Sequence, residues 1–582
     1  MRILENRIPF VLCLSILTFS QLQAADLPAA ATPGGALPNF NDEITEPFVY
    51  PDATYPVDLV EEVQPENVDA PRMLVRGFRI NGVKSHDKLG ITLASIEQLV
   101  RTKALALVAK EASQGFSLSM FEAINVAIAR YYREKGFFLA RAYIPEQKIN
   151  NGIVNINVVE GFIDQIVFSG NRLYSDEQLN QVFSPLLGAT IFLDNVESAV
   201  FIANDYPGLD ANVLFGPGLV PGSAAIQVNV KEEISNGYVT FDNYGSELTG
   251  ENRLRGNYQF YNLLGKADRL DVNGIVTLSP QNSLYYDIAY QQPVMDSRYL
   301  VGGSFNANQY DVGGNLADLN IKGKSTILRG FMARTISRMR TSRITTTADL
   351  SLKAAESRVI STLVSRDKLT VLGASADYAG TSWSNSGAYQ QISGRLSIGL
   401  ADFLGSMDSS GDGLSGRRGT NQDRASGDFT KINFDYLRIS QLTEFQSLLL
   451  RVSGQTTSDI LSSVEQFSLG GPDTVRAYPV AESLVDKALL LSAEWRADAS
   501  PDIPKNWLNK LQFSIFYDYA KGSLNDPLTN DIASVSLSGL GFGLQVVPFN
   551  KFTAKVQVAF DLGDEPLGSQ SLPFYFSLKY DF

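Results

Sequence analysis

The last eleven residues of the chain, from Leu572 to Phe582, alternate between apolar and polar side chains. Because successive side chains of a strand point to opposite faces, one face becomes aromatic-rich and the other polar. The apolar face carries Phe574, Phe576, Leu578, Tyr580 and Phe582. A free edge of this kind invites aggregation in a soluble protein, whereas a transmembrane β-barrel turns the apolar face to lipid and closes its edges. The pattern predicts an outer-membrane barrel, with a core strand of a soluble sandwich as the alternative.

Residues 1–24 have the composition of a secretory signal peptide. An apolar stretch from Ile8 to Phe19 follows basic residues, and small residues end at Ala24 and its neighbour. The stretch is shorter than the roughly 20 residues that a membrane-spanning helix needs. We predict cleavage near Ala24, which removes Cys13, the single cysteine. The mature chain would then form no disulfide and no cysteine-ligated metal site.

Residues 25–71 are predicted to form an extended, mostly disordered arm. Between residues 26 and 70 the chain has ten Asp or Glu, seven Pro and no Lys or Arg. Such a segment buries too little apolar surface to offset the entropy of ordering it. The stretch holds most of the net charge of −13, and this acidic balance argues against nucleic-acid binding.

Two consecutive segments, residues 72–161 and 162–233, repeat the order strand, helix, helix, strand, strand. In the first segment the pattern predicts a helix that begins at Ser119, with Glu122 completing a capping box. A long strand, Leu139–Ile149, is predicted to follow it. The repeat favours two copies of one small α+β domain over a single irregular domain.

From residue 234 to residue 582 the pattern predicts strands alone. Sixteen candidate strands begin near residues 236, 254, 269, 283, 298, 324, 343, 368, 387, 429, 446, 488, 510, 534, 552 and 572. Connections after odd-numbered strands are predicted to be long, near 312–323, 355–367, 404–428, 458–487 and 523–533, and most of the others short. Outer-membrane barrels have short periplasmic turns and longer outer loops, so both termini and the two α+β segments are predicted to lie in the periplasm.

Three segments resemble a known family. They are GFFLARAYIPEQ (136–147), VVEG (158–161) and FDNYGSELTGENR (241–253). Together with the domain order, they resemble the two-partner secretion transporters of the outer membrane, which serve haemolysins and filamentous adhesins. The resemblance implies a fold of two polypeptide-transport-associated (POTRA) domains before a 16-stranded transmembrane β-barrel. It implies export of a large, unfolded partner polypeptide, contact with outer-membrane lipid, periplasmic chaperones and the barrel-assembly machinery, and no cofactor.

The sequence LGGPDTVRAYP, residues 469–479, resembles the tip of the sixth outer loop of that family. The family motif is Val-Arg-Gly-aromatic, and it corresponds here to Val475, Arg476, Ala477 and Tyr478. In the family this loop folds back into the barrel, and its arginine contacts lumenal acids. Ala477 and Ala520 stand where the family has glycine, which predicts an ordinary backbone conformation at the tip or slightly different packing.

Two carboxylates are candidate partners of Arg476. The alternation in the strand that contains Asp518 places this residue on the lumenal face, and the same argument in the preceding strand places Glu494 inside. The loop-anchor hypothesis therefore joins Arg476 to Asp518 and Glu494, as opposed to a lumenal ion pair that only stiffens the barrel. The resemblance also gives Phe582 and Tyr580 the role of a C-terminal sorting signal.

Some family members close the barrel with an N-terminal helix. In this chain Pro47, Pro51 and Pro56 interrupt any long helix in the arm, and only Val57–Val63 could form a turn or two. The expectation is a very short plug, or none that is stable.

The predicted function is export of a partner exoprotein by two-partner secretion, with no catalytic residue and no metal. His86 is the only histidine, and we interpret it as a solvent-exposed loop residue, because neither a zinc site nor a Ser-His triad can be assembled from it. The alternatives are an insertase that assembles other barrels and a diffusion porin. Adhesin and cytolysin transporters share this architecture, so both cargo classes stay open.

Overall fold

The structure is a computed structural model. It describes residues 27–38, 72–111, 115–149, 151–220, 222–278, 282–295, 298–339, 341–381, 388–411, 413–420, 423–499, 508–549, 551–566 and 573–582. Within these ranges no helix is both long enough and apolar enough to cross a membrane. The predicted signal peptide and most of the predicted arm lie outside the described residues.

Two small modules with one topology precede the barrel. The first contains β1 (Gly77–Asn81), α1 (Leu93–Glu111), α2 (Leu118–Arg133), β2 (Arg141–Tyr143) and β3 (Ile153–Val159). The second contains β4 (Phe162–Ser169), α3 (Asp176–Phe183), α4 (Leu193–Asn204), β5 (Leu209–Pro217) and β6 (Ser223–Glu232). In each sheet the third strand lies in the middle, parallel to the first and antiparallel to the second. The predicted repeat is therefore present.

The predictions for α2 and β2 are wrong in their details. The side chain of Ser117, not Ser119, caps α2 by accepting a hydrogen bond from the Met120 N–H at 3.3 Å. The strand predicted over Leu139–Ile149 is three residues long. Beyond it, Pro145 lacks an N–H to donate, and the Gln147 carboxamide pairs with the backbone of the neighbouring strand in place of a ladder.

A closed antiparallel barrel fills the rest of the chain, with sixteen strands in the part that the structure describes. Its strands, with a small hairpin (β18 and β19) inside one connection, are β7 (Ser235–Asp242), β8 (Arg253–Tyr261), β9 (Arg269–Thr277), β10 (Ser283–Val294), β11 (Tyr299–Asp311), β12 (Ile321–Arg338), β13 (Ser342–Val359), β14 (Thr362–Thr381), β15 (Tyr389–Gly399), β16 (Thr430–Thr443), β17 (Gln446–Thr457), β18 (Phe467–Leu469), β19 (Ser483–Val485), β20 (Lys487–Asp498), β21 (Lys510–Ser523), β22 (Ser534–Phe549), β23 (Phe552–Asp561) and β24 (Phe574–Asp581). β24 pairs with β7 and closes the barrel. The predicted fold class is confirmed.

One predicted outer loop is absent. The sequence predicted a long connection over 355–367, but Val359 pairs directly with Thr362. The two residues between them, Ile360 and Ser361, have φ values of 47° and 66°. Positive φ at both central residues is typical of the two-residue turn that matches the twist of a hairpin. The second strand therefore begins at Thr362, before the predicted start near residue 368, and the two strands pair up to the turn.

Side chains on the last strand alternate between lipid and lumen. Phe574 and Tyr580 point outward and are 49% and 50% exposed, while Tyr575 and Ser577 point inward and are buried. The Phe582 N–H donates to the Gly237 carbonyl at 2.9 Å, which extends the closing seam to the last residue.

The second module is attached to the periplasmic end of the barrel at two places. The turn between β8 and β9 inserts Ala267 into the core of the module, and Asn262 of that turn donates to the Leu173 carbonyl at 2.7 Å. At the turn between β12 and β13, Arg338 donates to Asp205 at the end of α4, at 3.1 Å. The module therefore has a defined position at the mouth of the barrel.

His86 lies at the contact between the two modules. Its Nε2 atom is 2.9 Å from the carboxylate of Glu160, and its ring is 4.7 Å from that of Phe137, which also contacts Phe192 of the second module. The interpretation of His86 as a solvent-exposed loop residue is wrong, because its side chain is only 24% exposed. Burial raises the pKa of the neighbouring Tyr132 phenol, and the charge of Glu160 adds to that rise.

Candidate functional site: a loop folded into the barrel lumen

The connection between β17 and β20, here called the lumenal loop, folds back into the barrel. Its hairpin, β18 and β19, leads to a tip closed by backbone hydrogen bonds, of which the Gly471 N–H to the Tyr478 carbonyl is 2.9 Å long. Gly470 and Gly471 both have positive φ, where an L side chain would be strained. The glycine pair allows the sharp turn that directs the next residues toward the barrel wall.

Arg476 at the tip of the lumenal loop binds two acidic residues of the wall. Its Nε and Nη2 atoms donate to the two carboxylate oxygens of Asp518 on β21, both at 2.8 Å, and its Nη1 donates to Glu494 on β20 at 2.6 Å. The backbone N–H of Arg476 donates to Asp518 as well, at 3.1 Å. Paired N–H groups facing paired oxygens make such contacts strong and orientation-specific.

A second arginine of the wall joins this network. Arg496 donates to the second oxygen of Glu494 at 2.9 Å, so that two guanidinium groups face two carboxylates. Ser492 donates to Asp518 at 2.7 Å. Arg476, Glu494 and Asp518 are all buried. Removing one member of a buried pair leaves the other charge uncompensated, which is far more costly than losing an exposed ion pair.

The wall under the tip is apolar, unlike most of the lumen. The Arg476 guanidinium lies over the ring of Phe516, 3.3 Å from its centroid. Around it is a cluster of buried residues: Leu469, Val475, Ala477, Tyr478, Val485, Leu490, Phe516, Ala520, Val535, Leu537 and Ala559. The tip therefore occupies a buried, largely apolar site on the wall, here called its seat. Charge pairing and cation–π attraction are screened less there than in water.

Ala477 and Ala520 have a local explanation. Ala477 lies outside the left-handed region of φ, and its methyl group faces Gly539 on β22. A Cβ atom on Gly539 would lie only 2.3 Å from that of Ala477. Gly539 thus provides the space that the methyl group needs, while Ala520 packs in the cluster under the tip.

Tyr478 connects the tip to the last strands of the barrel. Its hydroxyl donates to the Asp564 carbonyl at 2.7 Å, and its own carbonyl accepts from the Tyr575 hydroxyl at 2.8 Å. Tyr575 belongs to β24, whose outward face carries Tyr580. The tip therefore contacts β20 through β22 and the strand that closes the barrel.

The described part of the N-terminal arm, residues 27–38, also lies in the lumen. The Tyr310 hydroxyl donates to the Ala31 carbonyl at 3.1 Å, and Asn308 donates to the Ala36 carbonyl at 2.8 Å. Both of these wall residues belong to the outer end of β11 and are buried.

This arm segment touches the lumenal loop, because Gly34 lies so close to the Ser463 carbonyl that a Cβ atom would not fit there. It forms one short 3-10 turn at Ala29–Ala31 and no longer helix. The turn proposed for Val57–Val63 lies outside the described residues.

Several of these contacts were missed from the sequence. Phe516 lies two residues before Asp518 and so shares its lumenal face, and an aromatic side chain there could have signalled a cation–π contact. The local sequence does not indicate the roles of Gly539 and Tyr575. Their partners, Ala477 and Tyr478, are distant in the chain and reach them only because the lumenal loop folds back into the barrel.

Known proteins resemble the chain over most of its length. A family model described as haemolysin secretion/activation protein ShlB/FhaC/HecB matches residues 222–546, and a ShlB-type POTRA domain model matches residues 89–161. The heme/hemopexin transporter protein HuxB of Haemophilus influenzae is 24% identical over 497 residues, which are 83% of this chain and 84% of HuxB.

Among solved structures, CdiB from Escherichia coli superposes with a TM-score of 0.67 at 20% identity, covering 90% of this chain and 93% of CdiB. BamA from Haemophilus ducreyi without POTRA domains 1–3 superposes with a TM-score of 0.51 at 15% identity, covering 88% of this chain and all (100%) of that one. At these identities the structural matches speak for the fold alone.

Proposed function

The chain belongs to the haemolysin secretion/activation (ShlB/FhaC/HecB) family of two-partner secretion transporters, and we propose that its lumenal loop gates the export of the partner. The protein is an outer-membrane transporter that exports a partner exoprotein, and its POTRA domains lie in the periplasm.

The observation that carries the gating proposal is the burial of Arg476 between Asp518 and Glu494. A loop whose only function is structural can be attached through apolar contacts at no electrostatic cost. A buried charge network instead gives one defined closed position and a large energetic difference between the seated and the released loop. Val475, Ala477 and Tyr478 shape the tip so that Arg476 reaches its partners.

The cargo that we propose is a large, unfolded polypeptide that enters from the periplasm. An extended chain can add to the free edge of a sheet, where main-chain hydrogen bonds supply affinity. The edge strand β2 and its neighbour α2 form one candidate site, and Val126 of α2 and Tyr143 of β2 are exposed there. β5, one of the two edge strands of the second module, offers nine residues against three. It is therefore the stronger candidate for strand addition.

The two ends of the chain are proposed to carry its targeting signals. Residues 1–24 direct export from the cytoplasm and are removed, and Phe582 with Tyr580 is recognised by the barrel-assembly machinery after periplasmic chaperones deliver the chain. We propose the boundaries 25–71, 72–161, 162–233 and 234–582 for the arm, the two POTRA domains and the barrel. The transporter performs no chemical step of its own, and the large cargo is either an adhesin or a cytolysin.

Deleting the gene and comparing secreted and membrane proteins tests the function. Loss of one very large secreted protein, restored by the intact gene, is the expected result. Loss of many outer-membrane proteins would instead support an insertase, for which the BamA superposition supplies only a shared fold. An unchanged protein profile with altered solute uptake would support a diffusion porin.

A further inference from the structure

A second charged cluster holds the lumenal loop on a different set of barrel strands. Glu465 lies in the stem of the loop, before β18, and its carboxylate is 2.6 Å from the Lys353 ammonium group and 2.8 Å from that of Lys431. Lys431 also donates to the Glu465 carbonyl at 2.8 Å, and Gln455 donates to the same carbonyl at 3.2 Å. Both the side chain and the backbone of Glu465 are therefore bound to the wall.

The cluster is buried, and its charges depend on one another. The Glu465 side chain is 1% exposed, and those of Lys353 and Lys431 are 18% and 12% exposed. Two ammonium groups share one carboxylate. If the stem moved away, both lysines would face each other across the lumen without that carboxylate, so the cluster favours the bound position of the stem.

This cluster is separate from the seat of Arg476. Lys353 belongs to β13 and Lys431 is the second residue of β16, near its outer end, whereas Asp518 and Glu494 lie on β21 and β20. The lumenal loop therefore crosses the lumen, with its stem bound to one wall and its tip seated on another.

Neighbours of Glu465 join the stem to other parts at the outer end. Leu461 is completely buried in a cluster with residues of β14 and of the outer loop 400–429. Ser463 packs against Gly34 of the N-terminal arm. Asp486, at the other end of the loop, accepts from the Asn525 N–H at 2.7 Å and so reaches the outer loop 524–533. These contacts connect the stem, the arm segment and two outer loops, together called the outer layer, at the outer end of the lumen.

We propose that Glu465 is a positioning residue that keeps this outer layer closed independently of Arg476. Releasing the tip alone leaves the stem, the arm segment and the outer loops in place. Full opening requires the Glu465 carboxylate to leave Lys353 and Lys431 as well. The proposal rests on the proposed gating function only in assuming that the position of the loop controls passage through the pore.

The test uses the full-length transporter, in which proteinase K added to intact cells reports exposure of the loop and planar bilayers report conductance without cargo. Glu465→Lys places three positive charges together. It should increase the rate of cleavage within residues 458–487 by about tenfold or more, because cleavage follows the population of the open form, and conductance should rise. Glu465→Lys combined with Lys353→Glu restores one carboxylate between two ammonium groups and should return both values toward those of the wild type.

Glu356→Lys is the matched control. Glu356 also lies on β13 and pairs with two cations, Lys324 at 3.3 Å and Arg358 at 3.6 Å, all within the wall itself. Heat-modifiable migration on gels confirms that each variant has folded, and Glu465→Gln provides a milder substitution if Glu465→Lys fails this check.

The outcomes distinguish the positioning role of Glu465 from the gating function of the lumenal loop. Wild-type cleavage in folded Glu465→Lys or Glu465→Gln, or no recovery in the double variant, would overturn the positioning role. Faster cleavage with unchanged conductance, in Glu465→Lys and in Arg476→Ala alike, would keep the anchor at Glu465 and contradict the gating function.

Discussion

Two walls of the lumen differ in character, and the lumenal loop contacts both. The wall of β20 to β22 is apolar under the tip, with Leu490, Phe516 and Leu537 around a single charge network. The wall of β12 to β16 is charged: on it Asp349 accepts from Arg329 at 3.0 Å and from Arg395 at 2.7 Å. The wall of β20 to β22 therefore provides a buried, apolar seat for the tip, and the wall of β12 to β16 provides a polar surface.

The difference suggests a division of roles. A buried, apolar seat accepts only a tip of matching shape and charge. A side chain that does not fit there raises the free energy of the bound loop, because protein interiors are close-packed. A polar wall supplies hydrogen-bonding groups along its length, which suits water and a passing main chain. We therefore expect changes on the apolar wall to alter how firmly the tip is held. Changes on the polar wall should alter it less, except at Lys353 and Lys431, which bind the stem.

The largest effect is expected for Arg476→Ala. It leaves Asp518 and Glu494 buried with too little positive charge, a cost of about 3–5 kcal/mol for a broken buried pair. The tip should leave its seat while the stem stays bound at Glu465, and single-channel conductance without cargo should rise without reaching the fully open value. Arg476→Lys should give an intermediate value, because lysine keeps the charge and loses the planar fork.

The control for this experiment is Arg329→Ala on the polar wall, which removes a lumenal guanidinium that pairs with Asp349 of the neighbouring strand. It should change the closed state little. Equal conductance for Arg476→Ala and the wild type would contradict the difference between the walls.

A smaller effect is expected for Gly539→Ala. Its new methyl group would collide with that of Ala477, and overpacking of this kind costs about 1–3 kcal/mol. Cleavage of the loop by external protease should accelerate, and Ala477→Gly in the same chain should reverse the effect by making space. Gly330→Ala is a matched control, because no atom lies within 4 Å of the position of its Cβ. Failure of Ala477→Gly to restore protection would show that the seat is not limited by this contact.

Tyr575→Phe should have a weaker effect still. It removes the hydroxyl that donates to the Tyr478 carbonyl, and a hydrogen bond of this kind contributes about 0.5–1.5 kcal/mol. The tip should remain seated, with a modest increase in the rate of loop cleavage. An increase as large as that of Arg476→Ala would mean that β24, rather than the charge network, determines the position of the tip.

Removing Phe582 should have the smallest effect on the loop. The residue faces away from the lumen and is 49% exposed, with its ring 5.9 Å from that of Tyr258. We expect less assembled transporter in the outer membrane, measured by immunoblot. Molecules that do assemble should have wild-type conductance, and altered conductance would disprove a role limited to targeting.

Much of the fold followed from one-residue alternation, because lipid outside and polar lumen inside impose a period of two on every strand. This rule places Phe513, Ile515 and Tyr517 on the face opposite Asp518, and they are between 43% and 50% exposed. The predicted strand boundaries were wrong where a side chain or a tight turn, and not the alternation, determines the backbone hydrogen bonds. At Gln147 a side chain pairs with the backbone, and at Ile360 a tight turn extends a hairpin that looked like a loop.

The site was less accessible from sequence for a physical reason. Arg476, Asp518 and Glu494 could be proposed together because a motif resemblance and strand alternation both pointed to them. The stem contacts of Glu465 and the space left by Gly539 depend on how a long connection folds in three dimensions. No periodicity encodes such contacts, since their partners lie on strands far apart in the chain.

The central claim, that the tip must leave its seat for cargo to pass, can be tested with a reversible cross-link. The Arg476 backbone nitrogen donates to the Asp518 carboxylate at 3.1 Å, so a cross-link between these two positions would tie the tip to β21. In a chain carrying Arg476→Cys and Asp518→Cys, we predict that secretion of the partner stops under oxidising conditions and resumes on reduction. Equal secretion by the cross-linked and the reduced transporter would contradict the account.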